Sequence, residues 1–141
     1  MRRILWAALM VLAACGPKGP PPGTPYVEVS NTGSIHGADV LRIYQDEQVF
    51  TQTRDGGPDT TRERWSRAAP GTFVTVAALV AADGPGVVAR MEQEDAPCLD
   101  YGTSAVVAVP AIGPFAGAEA SCPDPVLGTF MDELRVAILG G

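Results

Sequence analysis

The first fifteen residues constrain this chain most, because they decide the compartment in which the remainder folds. Arg2 and Arg3 precede an unbroken apolar run of eleven residues from Ile4 to Ala14, and Cys15 follows directly. A basic segment followed by a run of this length is typical of an export signal, whereas a membrane-spanning helix needs about twenty apolar residues. We therefore predict that this segment directs export and does not remain as a transmembrane helix.

The end of the run, Leu12-Ala13-Ala14-Cys15, resembles the lipobox of bacterial lipoproteins. In that family signal peptidase II cuts before the cysteine, which becomes the acylated first residue of the mature protein. The resemblance implies that residues 1–14 are a signal peptide and that Cys15 carries palmitate and further acyl chains. Gly16 is not the aspartate that retains enterobacterial lipoproteins in the inner membrane, so we expect an outer-membrane anchor facing the periplasm. The alternative is an ordinary cleaved signal followed by a chance cysteine.

Composition divides the mature chain into a tether and one domain. Residues 16–25 contain five prolines and three glycines, which favour an extended polyproline II conformation. At about 3.1 Å per residue this segment could hold a domain roughly 30 Å from the lipid. We assign residues 15–25 to the lipidated cysteine and its tether, and residues 26–141 to a single domain.

The charge of the mature chain limits its partners. Without Arg2 and Arg3, 8 of the 10 Lys and Arg residues remain against 16 Asp and Glu residues. Such an acidic surface is repelled by phosphate backbones and by anionic lipid head groups. We therefore exclude nucleic acid and expect membrane attachment to come from the lipid on Cys15. We find no apolar run after Cys15 that is long enough to span a bilayer.

Cys98 and Cys122 remain as a pair once Cys15 carries lipid. In an oxidising compartment an even pair most often forms a disulfide. Closing this loop would stabilise the fold by about 3 to 4 kcal/mol on the chain-entropy model. A metal site is the alternative, but His36 is the only histidine. We predict a disulfide, with no metal and no cofactor.

The pattern of apolar residues predicts an α+β fold, in which one antiparallel sheet packs against two helices. Strands are predicted at residues 26–29, 40–45, 49–54, 60–67, 103–109 and 115–121. Helices are predicted near residues 70–82 and 124–139. We expect Gly84-Pro85 to end the first helix, and Asp124-Pro125 to begin the second. Residues 60–67 also contain good helix formers, and alternation around Trp65 decides us for a strand.

The turn at Asp46-Glu47 sets the register of the second and third strands. A two-residue turn there pairs Ile43 with Phe50. Leu41, Ile43 and Phe50 then share the face that we assign to the core.

The loop from Thr32 to Gly37 is our preferred contact surface, because exposed loops on rigid sheets carry binding disproportionately. Its residues are Thr32, Gly33, Ser34, Ile35, His36 and Gly37. His36 could act as a general base beside Ser34, but the sequence lacks both a standard triad spacing and a Gly-x-Ser-x-Gly motif. We therefore predict no catalytic residues and a non-enzymatic binding or structural module with an envelope partner. A small hydrolase using His36 is an alternative.

The order of the predicted elements is similar to that of emfourin-type inhibitors of thermolysin-like metalloproteases. In that family a Ser-Gly-Gly-Phe-Ala-Gly-like loop follows the first strand. The corresponding stretch here, Ser30 to Gly37, keeps glycines and an apolar residue without the motif itself. The resemblance covers most of residues 26–141. It implies a protease partner and an inhibitory function as a second alternative.

Overall fold

The computed structural model describes residues 19–140 except for His36, residues 58–59 and residues 92–97. Its elements are, in chain order, β1 Tyr26–Ser34, β2 Gly37–Tyr44, β3 Gln48–Asp55, β4 Thr61–Arg67, α1 Thr72–Arg90, β5 Thr103–Ile112, β6 Phe115–Ala120 and α2 Pro125–Leu139. In this part of the chain the strands form a six-stranded sheet in the order β4-β3-β2-β1-β5-β6, and every neighbouring pair is antiparallel. The predicted α+β fold, with one sheet and two helices, is confirmed.

The two faces of the sheet have different surroundings. Val27 and Val29 of β1 are fully buried in the core that the sheet forms with both helices, and the helices contact β1, β5 and β6. We call this side the helix face. Residues that alternate with Val27 and Val29 point to the other side, which we call the open face because no described helix packs on it. Tyr26 and Glu28 belong to the open face.

The prediction that Gly84-Pro85 ends the first helix is wrong, since α1 continues through both residues to Arg90. Pro85 costs the helix one backbone hydrogen bond. Gly84, however, is buried so close to β6 that a Cβ atom on it would lie 2.6 Å from Cδ2 of Phe115. Val87 is also buried. Packing of the second half of α1 on the core therefore outweighs the local break.

By length and composition alone α1 could cross a membrane, because it has 19 residues and a window of 18 of them has a mean hydropathy of 1.6. The expectation that no such run follows Cys15 therefore needs correction. The buried residues of α1 are Thr72, Val76, Val80, Gly84 and Val87. They recur at helical spacing and pack against α2 and the sheet. In this fold α1 is a core helix.

The C-terminal helix and the disulfide are confirmed. The Asp124 carboxylate accepts a hydrogen bond of 2.9 Å from the backbone N–H of Leu127, and Pro125 occupies the first turn. The buried stripe of α2 consists of Leu127, Phe130, Met131, Leu134 and Ile138. Cys98 and Cys122 are joined, with 5.0 Å between their Cα atoms. The disulfide joins the segment that follows α1 to the segment that follows β6, and it encloses β5 and β6 in one covalent loop.

The predicted register of β2 and β3 is wrong by one residue. Three residues, 45–47, connect the strands, and Ile43 pairs with Val49 rather than with Phe50. The third of them, Glu47, has a positive φ of 65°. Because side chains alternate along a strand, this shift exchanges the two faces of β3. Val49 is therefore in the core, and Phe50 lies on the open face.

Candidate functional site

The corrected register brings four aromatic side chains together on the open face. Pairing places Tyr26 opposite Tyr44 and Phe50 opposite Trp65, so each of the strands β1 to β4 contributes one ring. The ring centroids of Tyr26 and Tyr44 are 5.6 Å apart, those of Tyr44 and Trp65 are 5.8 Å apart, and those of Phe50 and Trp65 are 4.9 Å apart. These are contact distances for aromatic pairs. We call Tyr26, Tyr44, Phe50 and Trp65 the aromatic cluster.

Arg42 is held within the aromatic cluster by a network of polar contacts. Its Nε donates a hydrogen bond of 2.8 Å to Oε2 of Glu28, and Nη2 donates to the same oxygen. Nη1 donates to the Tyr44 hydroxyl at 2.9 Å. The guanidinium carbon lies 4.4 Å from the ring centroid of Tyr26, which is within the range of a cation–π interaction. Both partners of the ion pair are largely covered, with side-chain exposures of 28% for Arg42 and 17% for Glu28.

This environment keeps Arg42 charged. Burial disfavours the charged guanidinium, but the hydrogen bonds to Tyr44 and Glu28 outweigh that effect, and the pKa of Arg42 is raised above its ordinary value. A side chain that never releases its proton is unsuited to general acid–base work. Arg42 therefore contributes a fixed positive charge and a rigid planar surface.

The proline-rich segment lies against the aromatic cluster. Gly19 approaches the indole so closely that a Cβ atom on it would lie 2.9 Å from Cη2 of Trp65. The backbone N–H and the hydroxyl of Thr24 both donate to the carbonyl of Pro21, at 3.2 and 2.7 Å. Gly23 has a positive φ of 84°, as the third position of a type II turn requires. Residues 19–25, which belong to the predicted tether, thus form a turn on the open face and lead directly into β1.

A groove of about 350 Å³ lies between this segment and the sheet. One wall is formed by Pro20, Pro21 and Pro22. The other walls are aromatic and apolar side chains of the open face, namely Tyr26, Tyr44, Trp65 and Val109. The groove therefore combines a proline wall with an aromatic wall.

The contact surface predicted from the sequence lies elsewhere. Thr32, Gly33 and Ser34 are the last residues of β1, and Gly37 is the first residue of β2. Between these strands Ile35 is 61% exposed, whereas His36 lies outside the described residues. Ser34, Ile35 and Gly37 form the end of the β1–β2 hairpin, about 26 Å from Tyr26 at a strand rise of about 3.3 Å per residue. The structure does not bring them together with the aromatic cluster.

Three other grooves lack aromatic side chains with polar partners, and one of them lies where the start of α1 meets the end of α2. A second, of about 410 Å³, lies between α1 and α2, where Asp83, Glu133 and Arg90 mix both signs of charge along its walls. The third lies beside the hairpin end, near Asn31, whose buried Oδ1 has no hydrogen-bond partner among the described residues. Within the described part of the chain, no three His, Cys, Asp or Glu side chains are grouped to hold a metal. The aromatic cluster is therefore the most distinctive surface.

Sequence reasoning missed the aromatic cluster, although each of its residues was placed on a strand. The signal was the period-2 spacing of Arg42 and Tyr44 on β2, which places them on one face. With Phe50 assigned to the core, however, the link between β2 and Trp65 was lost. A three-residue turn between β2 and β3 would have placed Phe50 on the same face as Tyr44 and Trp65, and so would have predicted the aromatic cluster.

No protein-family model, curated protein or solved structure matches this chain. Its function must therefore be argued from its own surface.

Proposed function

We propose that this protein is a non-enzymatic binding module of the bacterial envelope, anchored through lipid on Cys15, and that its open face contacts the partner. The observation that carries the proposal is the aromatic cluster with Arg42 fixed among its rings. Tyr, Trp, Phe and Arg are the side chains enriched at protein interfaces and at their energetic centres. Because four paired strands hold these side chains in place, little conformational entropy remains to be lost on binding.

The polar groups at the aromatic cluster support binding rather than catalysis. Glu28 and Arg42 neutralise one another, and both are committed to the contacts that position the guanidinium over Tyr26. Removal of either partner would leave the other charge partly buried and unpaired. The pair therefore acts as a fixed support for the surface.

Site-specific photo-crosslinking in intact cells tests the proposal. Benzoylphenylalanine replaces either Phe50, on the open face, or Thr51, its neighbour on the opposite face of β3. We expect a crosslinked envelope protein from position 50 and none from position 51. Absence of a product from position 50, or equal products from both positions, would contradict the proposal.

The exposure of Ile35 at the end of the β1–β2 hairpin supports the inhibitor hypothesis. An exposed apolar residue on a narrow hairpin end has the shape to enter the cleft of a thermolysin-like protease. Ile35→Asp should then abolish inhibition, whereas Trp65→Phe on the open face should preserve it. If the unmodified protein does not inhibit such a protease, this hypothesis fails.

A further inference from the structure

A proline-rich segment of the same chain covers part of the open face in this structure. Pro20, Pro21 and Pro22 follow one another beside Tyr44 and Trp65. Consecutive prolines favour polyproline II, which has its shape before binding and loses little conformational entropy on binding. Aromatic-lined grooves are the usual receptors for such strands, because flat rings pack against the pyrrolidine rings.

We infer that the open face is a receptor for proline-rich polyproline II strands of partner proteins, and that residues 19–25 cover it in cis. This inference rests on the proposed function and specifies the class of partner. Proline has no backbone N–H, so a bound strand presents carbonyl oxygens as acceptors. Tyr hydroxyl and Trp indole groups are the hydrogen-bond donors that suit such oxygens, and the groove contains Tyr26, Tyr44 and Trp65.

The cis segment must compete with any partner of the same chemistry. It is continuous with β1, so its effective concentration at the groove is on the order of millimolar. A free strand binds only to the fraction of molecules whose open face is uncovered, and its apparent affinity is lowered by that fraction. Weakening the cis contact should therefore strengthen binding in trans.

Two glycines of the segment offer a matched pair of substitutions. Gly19 and Gly23 both have positive φ, of 117° and 84°, so alanine strains the backbone at either position. Only at Gly19 does the added Cβ meet Trp65, whereas at Gly23 nothing lies within 4 Å of it. Gly19→Ala should displace the segment from the indole, and Gly23→Ala controls for backbone strain.

Fluorescence of Trp65 provides the measurement. The chain contains two tryptophans, and Trp6 lies in the predicted signal peptide. Trp6→Phe therefore makes Trp65 the only indole whether or not the signal has been removed. The probe is a synthetic peptide with the sequence of residues 16–25, and the control peptide has alanine in place of all five prolines. Both are titrated into the detergent-solubilised Trp6→Phe chain, alone and with Gly19→Ala or Gly23→Ala.

We expect the proline peptide to shift the Trp65 emission of the Gly19→Ala chain with at least 10-fold higher affinity than that of the Trp6→Phe chain. The Gly23→Ala chain should resemble the Trp6→Phe chain, and the alanine peptide should not bind. A triple variant, Pro20→Ser, Pro21→Ser and Pro22→Ser, should bind the proline peptide as the Gly19→Ala chain does, without a new Cβ at Gly19.

The inference is overturned if the proline peptide binds none of these chains at millimolar concentration, or if the alanine peptide binds equally well. Crosslinking from position 50 distinguishes this result from failure of the proposed function. A crosslink without peptide binding leaves the open face as a contact surface for another chemistry. Loss of both results removes the proposed function as well.

Discussion

Glu47, in the turn between β2 and β3, caps α1 at Phe73. Its Oε2 accepts a hydrogen bond of 2.9 Å from the backbone N–H of Phe73, and its Oε1 accepts one of 2.8 Å from Gly71. The helix has no side-chain cap at its own N-cap residue, so Glu47 pairs backbone donors that would otherwise lack a helical partner. The contact also places a negative charge at the positive end of the helix dipole.

Glu47→Ala should lower the free energy of unfolding by about 1 to 2 kcal/mol, because both capping bonds and the charge are lost. Urea denaturation followed by circular dichroism measures the change. Glu47→Gln retains one oxygen acceptor and should lose less. If Glu47→Ala is as stable as the unmodified protein, the cap does not contribute.

Gly84→Ala and Gly86→Ala, on the same helix, should have opposite effects. An added Cβ at position 84 lies 2.6 Å from Phe115, whereas at position 86 the nearest atom is the end of the Arg90 side chain at 4.0 Å. We expect Gly84→Ala to cost about 1 to 3 kcal/mol through overpacking. Gly86→Ala should gain about 0.5 to 1 kcal/mol from helix propensity. Thermal denaturation of the two variants tests the sign of each effect.

Arg42→Met should destabilise the fold and disorder the aromatic cluster, since Glu28 loses its partner at a largely covered position. The double variant Arg42→Met with Glu28→Gln should recover part of the loss, and a double-mutant cycle gives the coupling energy. The pKa of Arg42 is raised, so its contribution is fully present below the ordinary arginine pKa and is lost only in strong alkali. If Arg42→Met and the double variant are equally stable, Arg42 and Glu28 are not energetically coupled.

Cys98→Ser should lower the free energy of unfolding by about 3 to 4 kcal/mol, through loss of the constraint on the unfolded chain. The Cys122 thiol should then become reactive with a maleimide reagent. Unmodified protein treated with a reductant is the control and should show the same loss. Unchanged stability after reduction would contradict this account of the disulfide.

Replacement of residues 1–15 by an export signal that ordinary signal peptidase removes should release the protein from the membrane and leave its fold unchanged, because the lipid is proposed as its attachment. Fractionation of cells measures the release, and circular dichroism checks the fold. Mass spectrometry of the unmodified protein should find an acylated N-terminal Cys15. An unmodified Cys15 would contradict lipid anchoring without affecting the binding proposal.

Local patterns predicted the elements whose signals are local. Asp124-Pro125 and the stripe from Leu127 to Ile138 define α2 without reference to the rest of the chain. The extension of α1 depends instead on contact between Gly84 and Phe115, which are 31 positions apart in the sequence, and the turn at Glu47 depends on a helix that follows it. Non-local contacts of this kind leave no periodic signal.

The error at that same turn is also the reason why the aromatic cluster was not predicted from the sequence. The residues of the aromatic cluster were assigned to strands, but one missing turn residue moved Phe50 to the wrong face. The docking of residues 19–25 was missed for another reason, since composition predicts an extended conformation and says nothing about what a strand packs against.

The contact between residues 19–25 and the open face also limits how far the domain can move from the lipid. With Cys15 in the bilayer as proposed, only the four peptide units from Cys15 to Gly19 separate the lipid from a residue that contacts the domain, a maximum reach of about 14 Å. Full release of the segment would extend that reach to about 35 Å, from Cys15 to Pro25. A partner strand that displaces residues 19–25 would thus let the domain move farther from the lipid.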